Sequence, residues 1–485
     1  MGGNGAALTY FWHDYETFGA NPKRDKPAQF AGVRTDADFN VIGEPLVRYC
    51  QPPSDMLGDP NATLVTGITP QYAERHGVAE PEFIAEIVAE MSVPGTCSVG
   101  YNSIAFDDEV TRHTLWRNFF DPYAREWQQG CSRWDIIDMV RLAYALRPDG
   151  IEWPTRDDGA PSFKLEDLAA ANGLAQDNAH DALSDVHATI ALAQLIRDKQ
   201  SKLFEFVSSH RDKQSARKLL DMDTYKPALH VSAKFGAING CLSPVMPIAQ
   251  HPSNRNCVIV FDLRTDPEPL LSLDVETIRD RIFTPSEDLP EDAPRVALKG
   301  VHLNKCPVLA PFEMLRDTEA ERLNIDVSLC RRRWKMIHDR LADIQAKAAS
   351  VFDRGAGFGA AEDAELALYD GFVTNPDRER ATQVRQTPVE QLADDALAFD
   401  DWRLNALLFR YRARNYPQTL TSEEAHTWRT WCANQLQYAP AGGLTMDQYE
   451  ETVAALMESV QGQPKQLQRL LDLKAWGDAH RRLID

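Results

Sequence analysis

A chain of 485 residues is long enough for about three domains, and with 43% hydrophobic residues it can bury a sizeable core, which excludes a disordered chain. Its apolar runs are short and interrupted, excluding a membrane span, and residues 1–16, MGGNGAALTYFWHDYE, lack the basic flank and cleavage site of a signal peptide. The net charge of −20 argues against nucleic acid as a partner of the surface at large, although a local basic groove can coexist with an acidic remainder.

In chain order, ALTYFW (7–12) is an apolar, aromatic run that predicts a strand. Asp14 and Glu16 sit at its end, and strand alternation puts residues i and i+2 on one face. Two carboxylates there make a hard-oxygen site suited to Mg²⁺ or Mn²⁺, although D-x-E by itself is common and a solvated turn explains it equally well. AQFAGVRTD and NVIGEPLVRYCQP, with the turn between them, read as a hairpin. EPEFIAEIVAEM (80–91) has helical period, and TCSVGYN (96–102) is a second apolar strand leading into a helix at DDEVTRHTLWRNF. At that helix start one of Asp107 and Asp108 serves as the N-cap; we assign the cap to Asp108 and leave Asp107 for chemistry. SRWDIIDMVRLAYAL reads as helical throughout, and FKLEDLAAANG as a helix closed by Gly173.

NAHDALSDVHATIA (178–191) places His180 and Asp185 five residues apart, a spacing that does not share one face of a helix. They converge only if Asp181 caps the helix, His180 lies just outside it and Asp185 points in from the second turn. His187 falls on a different face and reads as ordinary.

Strands first paired by a hairpin and then alternating with helices imply an α/β domain with a mixed sheet over residues 1–200. Residues 201–221 read as helical; from about 222 to 315 the texture turns to Pro, Gly and short β-like runs, implying a small β-barrel or β-rich domain. From about 316 long helical patterns dominate, with FGAAEDAELALYDGFVTNPDRE as a polar interruption expected to be an exposed loop with a short turn. The resulting domains are 1–200, 201–350 and 351–485. The eight cysteines form no CxxC pair, so they read as reduced, mostly buried thiols of a cytosolic protein.

Asp14, Glu16, Asp107 and Asp185 with His180 amount to four carboxylates and an imidazole. That is an inventory for two-metal phosphodiester hydrolysis, with ions about 3.5–4 Å apart and the imidazole as general base for the attacking water. A phosphatase reading fails on Glu16, where a D-x-D loop needs aspartate, and leaves His180 unexplained.

The order D-x-E, Asp, H-x(4)-D resembles the DEDDh exonuclease superfamily, whose domain has an RNase H-like sheet. HDYETFG, GYNSIAFDDEVTR, SRWDIIDMVRLAYALRPDGI, NAHDALSDVHATIA, HPSNRNCVIVFDL, VHLNKCPVLA and LLFRYRARNYP resemble the bacterial exonuclease I family across nearly the whole chain. The resemblance implies a DEDDh 3′→5′ exonuclease domain, an SH3-like β-barrel domain and a C-terminal α-helical domain. It implies single-stranded DNA as substrate, 5′-mononucleotides as product and a role in DNA repair and recombination. Asp14, Glu16, Asp107 and Asp185 are then the ligands of two Mg²⁺, with Mn²⁺ able to substitute, and His180 is the base.

The same resemblance implies DNA contacts at Glu16, Arg112, Tyr123, Trp127, Arg141, Lys164, Lys226 and Tyr369. At position 164 the family pattern has Arg, and Lys keeps the charge but loses the bidentate fork. Arg410 and Arg414, four apart on one helical face, divide evenly between a strand contact and a solvated face. Arg147, Lys226 and Arg316 are implied receptors for the acidic C-terminal tail of single-stranded DNA-binding protein. A monomer in the bacterial cytoplasm, associated with the nucleoid and not with a membrane, completes the expectation. An oligoribonuclease is the neighbouring alternative, set aside because such chains lack the two added domains.

Overall fold

The computed structural model describes residues 8–174, 181–290, 293, 295–353 and 361–484. They fall into two compact units, one of Met1–Arg133, Gln176–Ile190 and Gly359–Asp485, the other of Trp134–Ala175 and Ala191–Phe358.

The first sheet has the order β3-β2-β1-β4-β5, with β1 Thr9–Thr17, β2 Pro27–Thr35, β3 Leu46–Tyr49, β4 Thr96–Gly100 and β5 Ser132–Asp135. β1 pairs antiparallel with β2, β2 antiparallel with β3, and β1 parallel with β4, so the hairpin and the mixed sheet are both present. β1 is central, and its Tyr10, Phe11 and Trp12 are all buried, as expected for a strand covered on both faces. Across the ladder Gly32 lies beneath the Phe11 ring, where a Cβ would come within 2.3 Å of the ring; only glycine leaves space for it. The helix Glu80–Met91 turns Phe83, Ile84, Ile87 and Met91 onto Phe11, Tyr15 and Phe30. Each such side chain removed from water contributes about 1.5–3 kcal/mol.

Two expectations are corrected here. SRWD is strand, not helix: β5 ends at Asp135, whose carboxylate accepts from the Ile137 amide (3.1 Å), and the helix Ile137–Leu146 begins only there. The stretch expected to be an exposed loop after 358 is anchored from within, because Ala364, Glu365, Ala367 and Leu368 are buried and the helix Asn375–Gln386 follows. Its alternating small and apolar residues pack against Trp116, Phe399 and Leu404.

The later helices of the first unit carry strong local signals. Ser422–Tyr438 and Met446–Ser459 each start with a reciprocal capping box, Thr421 with Glu424 and Thr445 with Gln448.

The second unit holds an antiparallel sheet of order β10-β6-β7-β8-β9, with β6 Ala228–Val231, β7 Leu242–Gln250, β8 Cys257–Asp262, β9 Leu298–His302 and β10 Leu309–Pro311. This is the β-rich segment expected from texture. Pro247 in β7 cannot donate to a ladder, and the register shifts there, between Pro247 and Ala249. The core is aliphatic, from Val245, Val258, Val260, Val301 and Leu309, closed by Ala216 and Leu220 of the preceding helical segment. All eight cysteines are free thiols and seven are buried. Among the described residues no helix is long and apolar enough to cross a membrane.

Candidate metal centre

Asp14 and Glu16 share a face of β1, while Tyr15 between them turns to the core beside Phe30 and Phe83. The register sets Asp14 opposite Ala31 and Glu16 opposite Gln29 in β2, with an irregularity directly after Glu16. Gln29 then ties in a third element. Its amide donates to Asp181 (3.0 Å) and its carbonyl oxygen accepts from the Ala182 amide (3.4 Å), which holds the start of the helix Ala182–Lys199 beside Glu16. Asp185 lies in the first turn of that helix, not in the second turn expected from the sequence. The outcome is a group of three half-buried carboxylates, Asp14, Glu16 and Asp185, each offering an oxygen within 4.8 Å of the others.

Asp107 joins from the helix Asp107–Arg117. Its Oδ1 accepts from the Tyr15 amide (3.0 Å), so it is fixed to the backbone between the two β1 carboxylates. Burial raises the Asp14 carboxyl well above the usual range, and the charges of Asp107, Glu16 and Asp185 push it further. Burial, then Asp185 and Asp181, push Glu16 up to about 8. A buried concentration of like charge on hard oxygen donors fits a divalent cation, the one partner that would lower all of these at once. These residues fit the metal that the D-x-E pattern called for.

Asp108 is not the N-cap. Phe106 occupies the cap position, without a side-chain hydrogen bond, and Asp108 is buried between Arg125 and Arg133 (2.7 Å to Arg133). Burial alone would raise Asp108, but the two guanidinium groups outweigh it and hold the carboxyl far below its ordinary value. Consecutive aspartates thus part company: Asp107 faces carboxylates and Asp108 faces arginines.

The implied DNA contacts are differently placed. Arg112 is buried, forked onto Glu126 (2.8 and 2.9 Å) and bonded to Glu109 (2.9 Å), so in this geometry it supports its neighbours rather than facing solvent. One neighbour is Tyr123, whose ring lies 5.4 Å from that guanidinium; another is Tyr369, half exposed, which donates to Glu109 (2.7 Å). Trp127 is 67% exposed. In the second unit Arg141 pairs with Asp138 over the Phe163 ring, Lys164 is exposed beside Glu166, and Lys226 is exposed. Arg147 and Arg316 flank Glu319 there, and Arg147 also reaches the Met314 carbonyl. Arg410 and Arg414 are neither strand contacts nor a solvated face: both are buried or nearly so in ion pairs with Asp363, Glu365 and Asp55. His180 lies outside the described residues.

Residues 11–193 match the family model for an exonuclease, 211–354 that for an exonuclease I SH3-like domain and 362–480 that for an exonuclease I C-terminal domain. The exodeoxyribonuclease I of Haemophilus influenzae is 44% identical over 471 residues, 97% of this chain and 98% of its own. The chain belongs to the exonuclease I family. It is an exodeoxyribonuclease, and its exonuclease domain depends on divalent metal. The Escherichia coli exodeoxyribonuclease I is 47% identical over 420 residues, 87% of this chain and 88% of its own. Among solved exonuclease I structures, the moderately thermophilic protein from Methylocaldum szegediense superposes with a TM-score of 0.93 at 47% identity, covering 99% of this chain and 100% of that one. The E. coli protein in complex with a dA16 oligonucleotide gives 0.92 at 42%, covering 98% and 100%. An SSB/exonuclease I structure with an inhibitor gives 0.90 at 41%, again covering 98% and 100%.

Proposed function

We propose that this chain degrades single-stranded DNA from the 3′ end, releasing 5′-mononucleotides in DNA repair and recombination, with two Mg²⁺ held by Asp14, Glu16, Asp107 and Asp185. The observation that carries the proposal is the convergence of Asp14, Glu16 and Asp185 from a strand and a distant helix, with burial and mutual repulsion raising Asp14 and Glu16. When bound, a pair of divalent ions supplies an activated water and stabilises the leaving oxygen of an in-line displacement.

The chain's own residues do the rest. The Tyr15 amide fixes Asp107, and Gln29 fixes the start of the helix that carries Asp185, so little reorganisation is needed at the moment of reaction. His180 takes the proton of the attacking water. The exposed Trp127, with Tyr123 and Tyr369, offers rings to unstacked bases, while Lys164, Arg141 and Lys226 contribute positive charge for the strand. The dA16 complex of the E. coli relative supports a single strand as substrate.

Arg147 and Arg316 supply guanidinium groups around one partly buried Glu319, suited to the carboxylates at the end of an acidic tail. The SSB/exonuclease I structure supports reading that tail as the C-terminus of single-stranded DNA-binding protein. Arg316→Ala weakens binding of the tail peptide; unchanged affinity removes that residue. The chain acts as a monomer in the bacterial cytoplasm, on the nucleoid.

The deciding experiment incubates 5′-labelled and 3′-labelled oligomers with the protein in Mg²⁺, in Mn²⁺ and in chelator. Immediate release of a labelled mononucleotide from the 3′ label, progressive shortening from the 5′ label, and silence in chelator are expected. Immediate mononucleotide release from the 5′ label overturns the polarity, and hydrolysis in chelator overturns the metal chemistry. Degradation of RNA at the same rate as DNA restores the oligoribonuclease reading.

A further inference from the structure

The helix Asp107–Arg117 carries one of the four carboxylates, and its hydrophobic pattern does not decide which way it is turned. All eleven of its residues are buried, and Asp107, Asp108, Glu109, Arg112, His113 and Arg117 put polar groups on every side of it. A helix with a single apolar stripe is oriented by burying that stripe; this helix has no such stripe. Its start is also uncapped, since Phe106 makes no side-chain bond there. Asp107 and Asp108 stand about 100° apart around the axis, so turning the helix by one residue would exchange them at the metal group.

Polar grips fix the rotation instead. The far end is held by Arg117 on Glu80, and the start is held on two faces. On one face Asp107 accepts from the Tyr15 amide (3.0 Å), and Thr111, one turn on, donates to the Tyr15 hydroxyl (3.1 Å). On the neighbouring face Asp108 pairs with Arg125 and Arg133, and Arg112, one turn on, is forked onto Glu126 (2.8 and 2.9 Å). Arg125 and Glu126 are consecutive residues of the short turn Ala124–Glu126, which Arg133 of β5 also reaches through Glu126 (3.3 Å). One turn of chain therefore sets a base on Asp108 and an acid on Arg112, which share a helix face. Turned by one residue, the helix would offer Thr111 to Glu126 and lose the fork.

Arg125 is the member of this set that stability does not explain. Its side chain is wholly buried, and among the described residues its Nε and Nη1 have no hydrogen-bond partner. A buried donor without a partner is costly, and an apolar residue in place of a buried ion is often neutral or better. An apolar residue would not claim Asp108.

We infer that Arg125 is a positioning residue of the metal centre: by holding Asp108 inward it selects Asp107 as the fourth carboxylate. The inference rests on the reading of Asp14, Glu16, Asp107 and Asp185 as metal ligands. Arg125 acts through Asp108 and the helix start, and the Glu126 fork on Arg112 keeps the same rotation one turn further on.

The test titrates metal-free protein with Mn²⁺ in the absence of DNA and reads the free ion by electron paramagnetic resonance. Wild type is compared with Arg125→Met, Arg125→Lys and the double variant Asp108→Asn/Arg125→Met, with Asp14→Asn and Glu365→Gln as controls. Arg125→Met weakens Mn²⁺ binding about 10- to 100-fold, the usual worth of a group that orients a metal ligand, and lowers kcat with KM for the strand kept. Arg125→Lys restores most of both, because it keeps a positive charge on Asp108. The double variant leaves no carboxylate buried without its partner, so it folds even where the single variant does not, and it shows the same weakened affinity. Glu365→Gln, which disturbs a different ion network, keeps wild-type affinity. Wild-type Mn²⁺ affinity in Arg125→Met or in the double variant, with only the urea midpoint lowered, makes the pair an ordinary ion pair and removes the inference. Equal weakening in Glu365→Gln removes it too, since affinity then follows stability alone. Wild-type affinity in Asp14→Asn overturns instead the ligand reading on which the inference rests.

Discussion

The first unit contains two groups of carboxylates that sequence alone does not tell apart. In one, Asp14, Glu16 and Asp185 converge, and the charges acting on Asp14 and Glu16 are those of other carboxylates. In the other, Asp55, Glu80, Asp363 and Glu365 are interleaved with Lys26, Arg117, Arg410 and Arg414. Arg414 is forked onto Asp55 (2.6 and 2.9 Å) and also reaches Glu365 (2.6 Å), while Arg410 lies over the Trp431 ring at 4.0 Å. The titration directions are opposite. Burial pushes Glu365 up, but Arg414, Lys26, Arg410 and Arg117 together carry it well below its ordinary value, whereas Glu16 goes up to about 8. One group has its counter-charge built into the chain and the other waits for it, which separates a structural ion network from a metal site better than any count of acidic residues.

The largest effect is expected where the missing counter-charge is chemical. Asp14→Asn should abolish nucleotide release, by about 10³-fold or more, because it removes a ligand that holds the ions worth several kcal/mol of transition-state stabilisation. Strand binding, followed by fluorescence anisotropy with a labelled oligomer, should stay close to wild type. His180→Ala should lower turnover by about 10²–10⁴-fold, the usual worth of a positioned base. Turnover near wild type in that variant means another group activates the water.

The second group should behave in the reverse way. Glu365→Gln leaves Lys26, Arg410 and Arg414 facing one another without their shared anion, and breaking a buried pair on one side costs about 3–5 kcal/mol. Urea denaturation should register that loss, while the specific activity of the molecules that remain folded should not change. If Glu365→Gln removes activity without loss of stability, or Asp14→Asn does the opposite, the distinction between the two groups collapses.

Much of this was legible in the sequence, and the misses share a cause. The hairpin, the central strand and the helix Glu80–Met91 follow from periodicity and turn residues, which are local. The pairing of Asp14 with Glu16 follows from strand alternation, whereas Asp185 sits one turn earlier in its helix than the expected cap implied. The N-cap role expected of Asp108 fails, because Arg125 and Arg133, its partners, lie 17 and 25 residues further along the chain. Arg410 and Arg414 read equally well as surface charges until Asp55, 359 residues from Arg414, is brought beside them. Gln29, which fastens the helix start at Asp181, carries no chemistry of its own and no motif marks it. Long-range partners decide whether a charge is spent, and they are invisible to spacing.

The finest test of the comparison is the shape of stability against pH in metal-free protein. Glu365 and Asp55 have folded values below their unfolded ones, so their contribution is fully present above the ordinary carboxylate range and disappears as pH falls through it. Glu16 runs the other way. Its folded value near 8 lies above its ordinary 4.5, so the fold prefers the protonated acid, and stability declines as pH rises from about 4.5 to about 8. Thermal melts in chelator should therefore show an acid limb belonging to the arginine-paired group and an alkaline limb belonging to the metal site. Glu16→Gln should shrink the alkaline limb and leave the acid limb unchanged, a gain of about 1–3 kcal/mol at pH 8 that vanishes at pH 4, the remainder of the limb belonging to Asp14. Added Mg²⁺ should flatten the same limb in wild type, since a cation supplies what the substitution makes unnecessary. An alkaline limb that survives both treatments means the carboxylates of β1 are not the source of the strain, and the contrast between the two groups would have to rest on geometry alone.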